Sequence, residues 1–250
     1  MGKRFMKLML LPARGPASKR RALPMIFLPA LLAAVVLLAS CATQKKKQDV
    51  LFFDTAPLMG MIYDDDSQAC AGALLVVDGR SGPITDIRGR FILPDLSRGE
   101  HTIIVKKDGY EELTAHIAFL TQTDVLYLRV ISFGQLLSKA EASLDQRKWD
   151  DAAGYLSRAE KLSKEDSILL YLQAILYYRT GKSQEAVSSL TRILDQGIDE
   201  PYVYLFLADV YEKGLGAPDK AVGSLEKFLS KRSDADVEKR LAGIKEKMEK

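Results

Sequence analysis

Two cysteines and two histidines set the limits on what this 250-residue chain can do by way of chemistry. His101 and His116 both fall in stretches that read as strands, and neither belongs to H-E-x-x-H, C-x-x-C or another metal-ligand spacing. Asp64-Asp65-Asp66 offers three acids, but consecutive side chains project in different directions and lack the EF-hand spacing with its distal Glu. That run reads as an exposed hairpin turn. Gly79 and Gly82 make no phosphate loop, since neither G-K-[ST] nor a helix follows, and no serine sits in G-x-S-x-G. Cys70, between Ala69 and Ala71, has no base or cation nearby in sequence and reads as a small buried hydrophobe. The expectation is a chain that is not an enzyme, with no catalytic residue, no metal and no cofactor.

Cys41 is different, because of what precedes it. It follows Leu38-Ala39-Ser40 and closes an uncharged run that begins at Ala22, after Lys19-Arg20-Arg21. A basic segment, an apolar segment and small residues in that order form a secretory signal peptide over 1–40. A transmembrane helix over 22–42 is the competing reading. Against it, Pro24 and Pro29 leave only Ala30 to Ala39 uninterrupted, which suits a signal better than a span. The Leu-Ala-Ser-Cys ending resembles the lipobox of bacterial lipoproteins. The resemblance implies diacylglyceryl on the Cys41 sulfur, cleavage before it and acylation (palmitate) of the new amino group. Several acyl chains at about 0.8 kcal/mol per buried CH₂ give stable anchoring. Ala42, where inner-membrane retention uses an acid, implies the outer membrane by the enterobacterial rule; the periplasmic face of the inner membrane is the alternative.

The formal charge of +3 misleads, since residues 1–40 hold seven Lys or Arg and no acid. The mature chain is slightly acidic, which does not favour nucleic acid. Gln44-Lys45-Lys46-Lys47-Gln48 has no apolar periodicity, so 41–56 reads as a tether, about 20–25 Å end to end.

Residues 57–131 read as short strands with turn punctuation: 58–63, 74–77, 91–93, 102–106, 113–119 and 125–130. Asp78-Gly79, Ser81-Gly82-Pro83, Arg88-Gly89, Arg98-Gly99 and Asp108-Gly109 lie between them. Such spacing suggests an antiparallel sandwich. Thr85-Asp86-Ile87-Arg88-Gly89-Arg90-Phe91, then Leu96-Ser97-Arg98-Gly99-Glu100-His101, then Lys107-Asp108-Gly109-Tyr110 follow the T-D-x-x-G-x-F, L-x-x-G-x-H/Y and K-x-G-Y pattern of carboxypeptidase regulatory-like domains. The later part also resembles PEGA domains. The resemblance implies a small transthyretin-like β-sandwich that binds or spaces, with no catalytic residues.

Beyond 132 the spacing changes. Ala140, Ala174 and Ala208 stand 34 apart, as do Ala152 and Ala186, with Ala221 one residue later. That period, with small residues where helices approach, is the tetratricopeptide (TPR) signature. It predicts three repeats over 132–235, with helices at 133–146, 149–163, 167–180, 183–196, 201–213 and 218–231, and a polar-backed capping helix over 236–250. Arg147 stands where the second repeat has its turn glycine, Gly181. Ser132 and Gln135 form a capping box directly after a strand, so a fixed junction is expected. The fold class is therefore multidomain α+β, a sandwich followed by an all-α solenoid.

The TPR resemblance places Leu137, Glu141, Leu144, Ile168, Tyr171, Ile175, Tyr178, Tyr202, Leu205 and Asp209 on the concave face. Tyr171, Ile175, Tyr178, Tyr202 and Leu205 are the expected protein-binding residues; packing against the rest of the fold is the competing use of that face. The Lys and Asn of a carboxylate clamp are missing. An apolar, tyrosine-rich face suits a peptide or helix of a protein partner. The expectation is a membrane-anchored envelope adaptor. The rival is an accessory substrate-binding subunit of an envelope peptidase or glycan-processing enzyme.

Overall fold

The computed structural model describes residues 55–120 and 125–250. The expected signal peptide, Cys41 and nearly all of the expected tether lie outside the described residues.

Among the described residues seven strands build two sheets: β1 (Thr55–Asp64), β2 (Leu74–Val77), β3 (Arg80–Ile84), β4 (Arg90–Ser97), β5 (Gly99–Lys106), β6 (Leu113–Phe119) and β7 (Val125–Val130). One sheet has the order β4-β1-β7, the other β3-β2-β5-β6. They share one apolar core, with Leu58 and Ile62 from β1, Phe91 from β4, Leu75 from β2, Ile103 and Val105 from β5, and Leu128 from β7. Inward and outward residues alternate along β1 and β4, the period-2 pattern of strands buried on one face. Two details differ from expectation. β3 occupies the Ser81-Gly82-Pro83 stretch that reads as a turn; it is an edge strand, where a proline costs no ladder bond. The pairing is not wholly antiparallel either, because β7 runs parallel to β1. A parallel neighbour needs a crossover rather than a hairpin, and the chain from β2 to β6 supplies it. The register sets Asp64 against Val130, so β7 delivers the chain beside the turn that follows β1.

The T-D-x-x-G-x-F stretch is a structural device. Thr85 Oγ1 donates to the Cys70 carbonyl at 2.7 Å and accepts from the Ala73 N–H at 2.8 Å. Asp86 accepts from the N–H groups of Arg88 and Arg90, both at 2.8 Å, closing the turn. Gly89 adopts φ +73°, and a Cβ there would sit 2.3 Å from the Ile62 carbonyl oxygen. Cys70 is buried, and burial pushes its thiol pKa up.

Seven helices follow: α1 (Phe133–Asp145), α2 (Trp149–Glu160), α3 (Ser167–Arg179), α4 (Ser183–Asp195), α5 (Pro201–Asp209), α6 (Pro218–Lys231) and α7 (Ala235–Met248). Ala140, Ala152, Ala174, Ala186, Ala208 and Ala221 are all fully buried, as close helix approach at a 34-residue step requires. The one-residue excess of the third repeat is taken up within the helix. Residues Val210–Gly214 form a π-turn, with the Leu215 N–H bonded to the Val210 carbonyl at 3.0 Å.

The two halves join through bonds. Ser132 caps α1, its Oγ accepting from the Gln135 N–H while Gln135 Oε1 accepts from the Ser132 N–H. The Phe133 N–H bonds the Gly109 carbonyl at 2.8 Å, and Glu111 N–H bonds the Ile131 carbonyl at 2.9 Å. Side chains add to this: Gln135 to Asp66 at 2.6 Å, Lys139 to Asp65 at 2.7 Å, and Arg158 to Glu111.

Candidate functional site

α3 carries the region of interest because it is apolar nearly all round. Asp166 caps it, accepting from the N–H groups of Ile168 and Leu169 at 2.9 and 3.0 Å. Leu169, Leu172 and Leu176 pack toward α1 and α2, whereas Leu170 and Ala174 join the core formed with α4 and α5. Ile168, Tyr171, Ile175 and Tyr178 form the remaining stripe. A helix apolar on every side has neighbours on most of them; here one side stays open.

That open side is a cleft of about 500 Å³ between α1 and α3. Leu137, Glu141 and Leu144 line it from α1, and Ile168, Tyr171 and Ile175 from α3. Asp145 and Arg179 sit at its charged end. Ile168 is 60% exposed, a large apolar side chain standing in water at the mouth. Tyr171 is held from behind. Its ring meets Tyr202 edge-on at 5.3 Å and Phe206 at 5.6 Å, and Tyr178 meets Phe206 at 5.7 Å. Burial raises the Tyr171 pKa, with Tyr202 and Asp209 adding to it, so the phenol stays neutral.

The five expected binding residues therefore divide. Tyr171 and Ile175 line the cleft. Tyr178 and Tyr202 form the aromatic wall that fixes Tyr171. Leu205 packs with the cluster of Ala208, Leu225 and Phe228 instead. Phe206, the hub of that wall, is missing from the sequence-based set. Its signal was available: it stands four residues after Tyr202 on one helix, the spacing that places two side chains side by side. Asp209, also expected on the concave face, is engaged by Arg240 of α7 at 2.8 Å and by Lys213 at 3.0 Å. The capping helix thus closes the far end of the array.

The remaining polar candidates are occupied by structure. Asp64 accepts from the N–H groups of Asp66 and Gln68 at 3.0 and 2.9 Å, and its two neighbours reach α1, so the three acids point apart. Among the described residues no group of three or more His, Cys, Asp or Glu is placed to hold a metal ion. His101 is buried, with Nδ1 2.6 Å from Asp78 Oδ2 and Nε2 2.7 Å from the Ser97 carbonyl. Two acceptors on one imidazole fit the doubly protonated ring. Burial by itself lowers the His101 pKa, but Asp78 and the Ser97 carbonyl outweigh it and hold the ring above its ordinary value.

Comparison with known proteins agrees with the helical half. The tetratricopeptide repeat family model matches residues 137–201 and 171–236, so this stretch carries TPR repeats. No curated protein matches the chain. Among solved structures it is similar to the first TPR domain of Spaghetti (RPAP3) bound to the HSP90 peptide SRMEEVD. That match has 17% identity over 47% of this chain and 94% of the other, with a TM-score of 0.43. It is similar also to the type III secretion translocator chaperone SycD of Yersinia enterocolitica, at 21% identity over 47% and 86%, TM-score 0.43. The Sgt2 TPR domain from Aspergillus fumigatus matches at 16% identity over 47% and 79%, TM-score 0.42.

Proposed function

We propose that this chain is a lipid-anchored protein of the bacterial cell envelope that recruits a protein partner through its TPR array and performs no catalysis itself. The observation that carries this reading is the α1–α3 cleft, where exposed Ile168 and half-buried Ile175 flank a Tyr171 ring locked by its neighbours. A rigid aromatic anchor beside open apolar side chains is how interfaces concentrate binding energy. The cleft suits an amphipathic helix or an apolar peptide. It offers no Lys or Asn pair for a carboxylate-ended peptide, and its charges are Glu141, Asp145 and Arg179.

In this reading the strand-rich half is a transthyretin-like, carboxypeptidase regulatory-like sandwich that acts as spacer. The chain enters β1 at Thr55 and leaves it at Asp64, beside the first helix. Ten residues of strand span about 30 Å. Acylated Cys41 holds the molecule at one membrane, the outer membrane by the sorting residue Ala42.

Crosslinking and affinity capture from intact envelopes tests this, using the full chain and an Ile168→Glu variant. Loss of one specific partner in the variant, with helicity unchanged, is the expected result. A captured hydrolase that the variant retains equally points to the accessory-subunit reading and overturns the adaptor.

A further inference from the structure

The two sheets treat their outer faces differently. On the β3-β2-β5-β6 sheet the outward positions mix Glu100, Lys106, Thr114 and His116 with half-buried Leu74, Val76 and Ile104. On the β4-β1-β7 sheet the outward positions are apolar at the centre, with Arg90 beside Met61 and Arg129 beside Tyr63 at the border. Met59 faces Ile92 of β4 and Val125 of β7 across the ladder, and Met61 faces Tyr127. Ile84 of β3 adjoins them in the same recess. Met59, Ile84, Ile92, Val125 and Tyr127 are each at least half exposed. In the turn leading into β4 stands Ile87, 87% exposed and followed directly by Arg88.

We propose that this face lies against the bilayer that anchors the chain, with Met59, Ile92 and Val125 at the acyl boundary, Tyr127 at headgroup level, and Ile87 inserted beside Arg88. The proposal rests on the acylated Cys41 of the preceding section. Thirteen residues, 42–54, separate Cys41 from the first residue of β1. Even fully extended they reach no further than about 50 Å, so the membrane is always within range of the sheet.

Size decides between a bilayer and a second copy. Three strands about 4.8 Å apart, exposing about six residues each at 3.3 Å, offer roughly 300 Å² of face. A stable protein interface needs about 800 Å² from each partner. A small face is sufficient when a tether supplies the effective concentration. Its composition fits too. Apolar side chains bordered by Tyr and Arg match an interfacial contact that sinks about 5–10 Å into the headgroup region. The consequence is geometric: the cleft is then held at a fixed height above the membrane.

The test uses the full chain isolated from cell membranes and reconstituted in vesicles of phosphatidylethanolamine and phosphatidylglycerol with brominated acyl chains. Trp149→Phe removes the native indole. Ile92→Trp and, separately, Val125→Trp report from the face, and Thr114→Trp reports from the other sheet; circular dichroism confirms folding of each. At least about twofold stronger quenching at positions 92 and 125 than at 114 is expected. Equal quenching at all three overturns the proposal. So does weak quenching at 92 and 125 together with a dimer that Ile92→Lys dissociates, since that assigns the face to a second copy. Mass spectrometry of the same preparation reads Cys41 separately. An unmodified Cys41 defeats the anchor reading and with it the tether this inference rests on, whereas a modified Cys41 with equal quenching at all three positions defeats this inference alone.

Discussion

Glu111, just before β6, grips Arg158 on α2 with both carboxylate oxygens, Nε to Oε1 at 3.0 Å and Nη2 to Oε2 at 2.5 Å, across 47 positions of sequence. Arg158 also lies 5.8 Å from the centroid of the Tyr155 ring, which Lys139 approaches at 5.9 Å. The strand-rich half and the first repeat are thus bonded by side chains as well as by the backbone.

The Glu111–Arg158 pair is partly exposed, so its worth is modest. A double-mutant cycle with Glu111→Gln and Arg158→Ala should give a coupling of about 1 kcal/mol, falling in high salt. The Arg158 guanidinium, with Lys161 adding, holds the Glu111 carboxyl below its usual range despite partial burial. A depressed acid contributes above its unfolded pKa of about 4.3 and loses that contribution as pH falls through its folded value. Urea unfolding should therefore show this contribution fading in acid, and the Gln variant should lack it already at neutral pH. Scattering that fits freely moving halves in the native chain at neutral pH would defeat the fixed junction.

His101 predicts the opposite pH dependence. Its folded pKa is raised, so its contribution is complete below about 6.5 and is lost as pH climbs through the folded value. Asp78 is lowered, chiefly by His101 and the Thr102 N–H, and contributes above about 3.8. Stability of the strand-rich half should peak at mildly acidic pH and decline toward pH 8. His101→Gln keeps some hydrogen bonding, loses on the order of 1 kcal/mol at pH 6, and should flatten the decline. Urea unfolding at several pH values measures both; an unchanged slope in the variant would show that His101 is neutral when folded.

Stability and binding should separate on α3. Tyr171 is wedged against Tyr202 and Phe206, so Tyr171→Ala should cost about 3 kcal/mol. Ile168 stands mostly in water, so Ile168→Ala should cost no more than about 0.5 kcal/mol yet weaken partner capture by tenfold or more. Thermal unfolding beside quantitative capture distinguishes them. If Ile168→Ala binds as well as the native chain, the cleft is packing surface only.

The helical array was legible because close helix approach demands small residues at fixed intervals, and six alanines satisfy it. The π-turn at 210–214 was not, since a single extra residue can be stored in a loop or in a helix and only the contacts around Val210 and Gly214 choose. The strands were legible from alternation between turns, but β3 hid behind Gly82 and Pro83, residues that an edge position tolerates. The parallel entry of β7 was invisible, because period-2 patterning carries no direction. In the cleft, side-chain types marked Tyr171 and Ile175, but the placement of Leu205 depends on α6 and α7, whose positions no local pattern encodes. Cys41 lies outside the described residues, and its role rests on the Leu-Ala-Ser-Cys ending alone.

Arg147 and Gly181 occupy the same turn in successive repeats, and both adopt positive φ, 57° and 80°. The turn requires it: the Lys148 N–H must reach the Ser143 carbonyl at 2.9 Å, as the Lys182 N–H reaches that of Tyr177 at 2.8 Å. A residue with a Cβ pays about 1 kcal/mol for the left-handed region, and glycine does not. Replacement by glycine also enlarges the freedom of the unfolded chain, which removes part of that gain. Arg147→Gly should therefore stabilise the array by about 0.5 kcal/mol, whereas Gly181→Ala should destabilise it by about 1 kcal/mol or more. Arg147 is exposed, so no lost packing clouds the comparison. Equilibrium denaturation of the two variants reads opposite signs if the turns are equivalent. A destabilised Arg147→Gly would show that the Arg147 side chain makes a compensating contact, and that the first repeat closes by a different route from the second.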